Sequence, residues 1–110
     1  MTGGADLTIG IEEEYQIVDQ DGHLRSHIDA LLAVATPVLG EQVKAEMMQS
    51  VVEIGTSICR DADQARAELI RLRGTLASLL APDGMHLICA GTHPFASWQD
   101  QRITDIDRYH

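Results

Sequence analysis

The 110-residue sequence holds only four aromatic residues, Tyr15, Phe95, Trp98 and Tyr109, so any core it builds must be aliphatic. It has no apolar run near the roughly 18 residues that a membrane-spanning helix needs. The opening stretch MTGGADLT has no basic region and no apolar segment before Ile9, which argues against a secretory signal. Basic residues are also scarce, 8 Lys and Arg against 17 Asp and Glu, for a net charge of −9. That balance repels phosphate backbones and anionic lipid, so nucleic acid and membrane surfaces are poor partners. Divalent cations are the natural counter-charge, although an acidic surface also serves plain solubility. The two cysteines, Cys59 and Cys89, have no metal-ligand spacing and read as small core residues of a reduced, cytoplasmic protein. No GxGxxG, P-loop or nucleophile motif is present, and no repeat or linker.

What remains is enough for one folding unit, since area scaling lets a chain of this size bury about two-thirds of its extended surface. From Leu7 to Val18 the residues alternate. Leu7, Ile9, Ile11, Tyr15 and Ile17 fall on one face of a strand, and Thr8, Gly10, Glu12, Glu14, Gln16 and Val18 on the other. Asp19-Gln20-Asp21-Gly22 is a turn signal that predicts a short antiparallel return over His23-Leu24-Arg25. Ile28 to Leu39 reads as a helix with Ser26 as its cap and Gly40 as its stop; Pro37 falls in its last turn. Val43 to Ile58, with its β-rich SVVEIGTSI, reads mostly as one long strand. A helix opens at Asp61, where Gln64 completes a capping box, carries an apolar stripe from Ala62 to Leu79 and ends at Pro82-Asp83-Gly84. Arg66, Arg71 and Arg73 lie off that stripe and are expected to face water. Met85 to Ala90 reads as a last short, buried strand before a loop that carries His93. The expected fold is α+β: a mostly antiparallel sheet with helices on one face, leaving the face with Glu12 and Glu14 open.

Three consecutive glutamates oppose strand propensity and call for a reason. Glu12 and Glu14 share a face with about 6 to 7 Å between their Cα atoms, a separation at which two carboxylates can bind hard cations such as Mg²⁺ or Mn²⁺. A solvated strand face is the plain alternative. Glu13 points to the apolar side, at the sheet margin or paired with an arginine. Glu53 stands among Val51, Val52 and Ile54, where a lone charge wants a metal, an arginine or a sheet edge. Its spacing of seven from Glu46 is odd, so on one regular strand the two point to opposite faces. Either a bulge realigns them or only one serves a site.

Several segments then occur together: Gly10-Ile11-Glu12-Glu13-Glu14-Tyr15, Gln49-Ser50-Val51-Val52-Glu53-Ile54, Cys59-Arg60, the run from Ala90 to Trp98 containing Gly91-Thr92-His93-Pro94, and Arg108-Tyr109. In order and spacing the chain resembles the start of carboxylate-amine ligases of the glutamate–cysteine ligase type 2 group. The resemblance implies part of a glutamine-synthetase-like catalytic fold whose antiparallel sheet binds ATP and divalent metal, Mg²⁺ or Mn²⁺. It also implies the reaction. ATP phosphorylates the γ-carboxylate of glutamate, and an amine, typically that of cysteine, attacks the acyl phosphate to give an amide, ADP and phosphate, as in glutathione-type γ-glutamyl peptide biosynthesis. By motif match Glu12, Glu14 and Glu53 would ligate metal, and Glu46 is carried over from an acidic position seven residues earlier. Gln49 and His93 would border the substrates. Family members continue past His110 into a histidine-bearing metal strand and phosphate-binding arginines. Residues 1–110 are therefore expected to be the N-terminal portion of a single catalytic domain, inactive alone, with an open sheet edge that invites self-association. The alternatives are a non-catalytic acidic α+β regulatory or binding module, and a structural domain whose acidic face packs on a partner.

Overall fold

A computed structural model describes residues 7–89. Strand β1 (Glu12–Val18) starts later than expected, leaving Leu7 and Ile9 outside it and exposed. Within it Tyr15 and Ile17 are buried and Glu12 and Glu14 exposed on the opposite face as predicted, while Val18, expected on that open face, is buried. The return expected over His23–Arg25 shrinks to one bridge between Val18 and Leu24. Asp19 holds this turn, its carboxylate accepting the backbone N–H groups of Asp21 and His23 and the Nε–H of Arg25.

Helix α1 (Ile28–Leu39) buries Ile28, Leu31, Ala35 and Leu39, one stripe at three- and four-residue steps. Ser26 is not its cap. The N-cap is His27, and no side chain caps the helix there. Instead the backbone carbonyl of Gln49 accepts the N–H groups of His27 and Ile28, each at 3.0 Å, which satisfies donors that a helix start leaves open. Pro37 lies inside the last turn and the helix runs on to Leu39. Gly40 ends it at a φ of 59°, a conformation that favours glycine.

The stretch read as one long strand is two. β2 (Val43–Ala45) and β3 (Val51–Gly55) pair antiparallel, and the chain reverses through residues 46–50, where the N–H of Val51 donates to the carbonyl of Met48. This turn contains neither glycine nor proline, so the usual punctuation of a reversal is missing.

Helix α2 (Ala62–Leu80) starts as its sequence predicts. The Asp61 carboxylate accepts the N–H of Gln64 at 2.8 Å, and the Gln64 side chain accepts the N–H of Arg60 at 2.7 Å. The helix buries Ala65, Leu72, Leu76 and Leu80, then passes through a 3₁₀ turn over Ala81–Asp83 to Gly84. Strand β4 (His86–Ile88), shorter than expected and only partly buried, returns beside β1. The sheet order is β2-β3-β1-β4, with every pairing antiparallel. Both helices pack on the face that carries Tyr15, Ile17, Val43, Val52 and Ile54, and together they form one aliphatic core. The fold is α+β with helices on one side of an antiparallel sheet, consistent with a piece of a glutamine-synthetase-like fold.

Candidate metal centre

The face opposite the helices is built by strand register. Glu14 lies directly across from Glu53, and Lys44 lies across from Glu53 on its other side, so the three form one row over β1, β3 and β2. Glu46 follows β2 and shares the parity of Lys44. Carboxylate oxygens of Glu14, Glu46 and Glu53 all lie within 4.8 Å of one another. The odd spacing between Glu46 and Glu53 therefore needs no bulge, and both residues reach one place. Parity counts along a single strand, and here the chain reverses between the two.

Charge repulsion shapes the cluster. Two carboxylates at this distance repel by roughly 1 to 3 kcal/mol, between the dielectric of water and that of a protein surface. The Glu14 carboxyl is accordingly held above its ordinary range. A hydrogen bond with Glu46 is the main cause, followed by partial burial and the charges of Glu46, Glu53 and Glu12. A cation relieves such crowding as a proton does. The donors are all hard oxygens, and Mg²⁺–O bonds of about 2.0–2.1 Å put opposite ligands roughly 4 Å apart, with Ca²⁺ slightly wider. The donor set and its spacing fit an oxygen-coordinated divalent ion.

Glu12 points to the same side but lies outside this group of three. It lines an open cavity of about 570 Å³ with Gly10, Gln42, Lys44, Gly55 and Thr56. Lys44 escaped the sequence reading, though its two-residue offset from Glu46 on a strand was a usable signal. The backbone carbonyl of Gln49 anchors the start of α1. His93 lies outside the described residues. Asp19, Asp21 and His23 also converge, but the Asp19 carboxylate is already occupied by the donors of its turn and by the Arg25 guanidinium at 2.6 Å.

Glu13 points to the helix side and is paired with an arginine, as one of the two sequence readings had it. Arg73 of α2 donates from Nη2 to both Glu13 oxygens, at 2.6 and 2.7 Å, and from Nε to Glu13 at 3.0 Å and to the Tyr15 hydroxyl at 2.6 Å. The Tyr15 hydroxyl donates to Glu13, and the guanidinium carbon lies 5.8 Å from the centre of the Tyr15 ring. Arg73 is about half exposed and so faces water as expected while making this pair. Arg71, equally exposed, also donates to Glu68 and Gln42. Burial alone would raise the Glu13 carboxyl, but hydrogen bonds from Tyr15 and Arg73 and the Arg73 charge hold it below its usual range. The Tyr15 hydroxyl is pushed up to about 12, by burial first and by its bond to Glu13 second.

Comparison with known proteins agrees with these motifs. Residues 8–110 match the family described as glutamate-cysteine ligase family 2. A protein of Herpetosiphon aurantiacus named "Putative glutamate--cysteine ligase 2" is 53% identical over 105 residues, covering 94% of this chain and 27% of that protein. A protein of the same name from Sorangium cellulosum is 50% identical over 106 residues, covering 94% of this chain and 28% of its own length. The chain thus spans little more than a quarter of the curated relatives it matches. With a family match running from residue 8 to residue 110, the chain belongs to glutamate-cysteine ligase family 2.

Proposed function

We propose that this chain forms part of the catalytic sheet of an ATP-dependent carboxylate-amine ligase, in which Glu14, Glu46 and Glu53, with Glu12 beside them, hold Mg²⁺ or Mn²⁺. The observation that carries this reading is the convergence of three carboxylates from β1, β3 and the end of β2 to within 4.8 Å, in a member of this family. A bound divalent cation supplies neutralisation of the charge that develops on a phosphoryl group in transfer. The chain's own groups prepare for that. Glu46, Glu53 and Glu12 crowd Glu14 and raise its affinity for a proton, and a cation relieves the same crowding. Strands β1 and β3 hold Glu14 and Glu53 in register, so little rearrangement is needed on binding. Lys44, next in the row, sets a positive charge beside the cavity that Glu12 lines.

The substrates under this reading are small molecules: ATP, glutamate, and cysteine or another amine. The product is an amide formed through a γ-glutamyl phosphate, and Gln49 and His93 border the substrates. The setting is the cytoplasm, and residues 1–110 are the N-terminal portion of one larger catalytic domain, inactive alone. No helix among the described residues is long and apolar enough to cross a membrane.

Mn²⁺ titration followed at the backbone amides tests the cation site. Selective broadening is expected at Glu14, Glu46 and Glu53, and in the intact protein Glu14→Gln or Glu53→Gln should reduce ATP- and glutamate-dependent ADP release by about 100-fold or more. No response at these amides would remove the reading. Cation binding without ligase turnover in the intact protein would leave a binding module in its place.

A further inference from the structure

Three glutamates in succession give β1 a charge pattern that does not itself say which of them belong on the open face. A slip of one residue exchanges the two faces of a strand. It would turn Glu13 outward and send Glu12 and Glu14 toward the helices. Tyr15 and Ile17 oppose the slip through burial, while repulsion from Glu46 and Glu53 drives Glu14 away from its place. Arg73 meets only the middle glutamate. Its planar fork takes both Glu13 oxygens and its Nε also reaches the Tyr15 hydroxyl, so two consecutive inward-facing residues of β1 are tied to one side chain of α2.

We infer that Arg73, acting through Glu13 and Tyr15, is a positioning residue that holds β1 in the register presenting Glu14, with Glu12 beside it, to the cation; this rests on the cation site proposed above. Glu13 is the covalent neighbour of both Glu12 and Glu14, so a shift of its backbone passes to the two outward carboxylates without an intermediary. A lysine would keep the charge but not the fork, because an ammonium cannot span two carboxylate oxygens and a hydroxyl in one plane. Without Arg73, Glu13 is a partly buried carboxylate on the helix side of the sheet that has lost its guanidinium partner, and the open face becomes the better place for it.

The test is the Mn²⁺ dissociation constant of the intact protein, read from the free-Mn²⁺ paramagnetic resonance signal. Arg73→Gln should raise it about tenfold or more, as loss of groups that orient metal ligands does, and Arg73→Lys should raise it less. Adding Glu13→Gln to Arg73→Gln removes the misplaced charge and should recover much of the affinity. Leu72→Ala, on the same helix and fully buried, should lower the melting temperature without changing the constant. The inference is overturned if Arg73→Gln only lowers the melting temperature, as Leu72→Ala does, with the constant unchanged. Should Arg73→Gln fail to fold, Arg73→Lys decides, and an unaltered constant there overturns the inference. If Glu14→Gln leaves Mn²⁺ binding intact, the cation site itself fails and the inference goes with it.

Discussion

Glu14 and Glu53 are set face to face by backbone pairing, and like charges directly opposite on neighbouring strands cost stability. Removing one charge should therefore stabilise the cation-free protein. Glu14→Gln is expected to gain about 0.5–1 kcal/mol in metal-free chemical denaturation, while losing the further stabilisation that cation brings, which for one site is about 2.7 kcal/mol at 100 times the dissociation constant. A loss of stability in the metal-free variant would contradict the repulsive arrangement. The outward direction of Glu12 and Glu14 was legible in the sequence because strand alternation depends on local backbone geometry alone. The inward partner of Glu13 was legible only as a residue type. Arg73 lies sixty residues away, and which of the arginines on α2 reaches Glu13 depends on how that helix docks.

At the level of elements, Glu68 ties α2 to the region following β3. Its carboxylate accepts the hydroxyl and the N–H of Ser57, the side-chain amide of Gln42 and the Nε–H of Arg71. These donors, the Ser57 hydroxyl foremost and Arg71 next, bring its pKa from 4.5 down to about 2. A carboxyl lowered on folding stabilises the protein above its unfolded pKa, and that contribution is lost as pH falls through the folded one. Glu68→Ala should cost about 1–2 kcal/mol at neutral pH and flatten the decline in stability between pH 4.5 and 2, measured by denaturant midpoints across that range. An acid limb as steep as the parent's would show that the network contributes nothing. The α2 start was readable because Asp61 and Gln64 act within one turn. The β2–β3 turn was not: residues 46–50 carry no glycine or proline, and the pairing of β2 with β3 and the bond from the Val51 N–H to the Met48 carbonyl show where the chain reverses.

For the molecule as a whole, stability rests on one aliphatic core shared by two helices and one sheet face. Leu72, Leu76 and Leu80 are fully buried, so Leu72→Ala should cost about 2–5 kcal/mol. Val38→Ala, at a side chain 64% exposed, should change stability by less than about 0.5 kcal/mol. Thermal denaturation of the two side by side checks where the core lies, and equal losses would misplace it. The layering also separates the two tasks of the sheet. Apolar residues on one face secure the strands, which leaves the other face free to gather charges that no core would tolerate.

Read linearly, the chain already shows that β1 is two-faced, that α1 and α2 bury apolar stripes, that the fold is α+β, and which family the motifs resemble. Each of these follows from periods of two or three to four residues, or from short motifs that a linear reading can hold. It takes the folded chain to bring Glu46 and Glu53 to the same point as Glu14, to set Lys44 in their row, and to close Arg73 on Glu13 from behind. Those facts depend on where a chain without turn residues reverses and on how a helix docks across the sheet. Both are settled by pairing and packing between segments distant in sequence, so no local pattern records them.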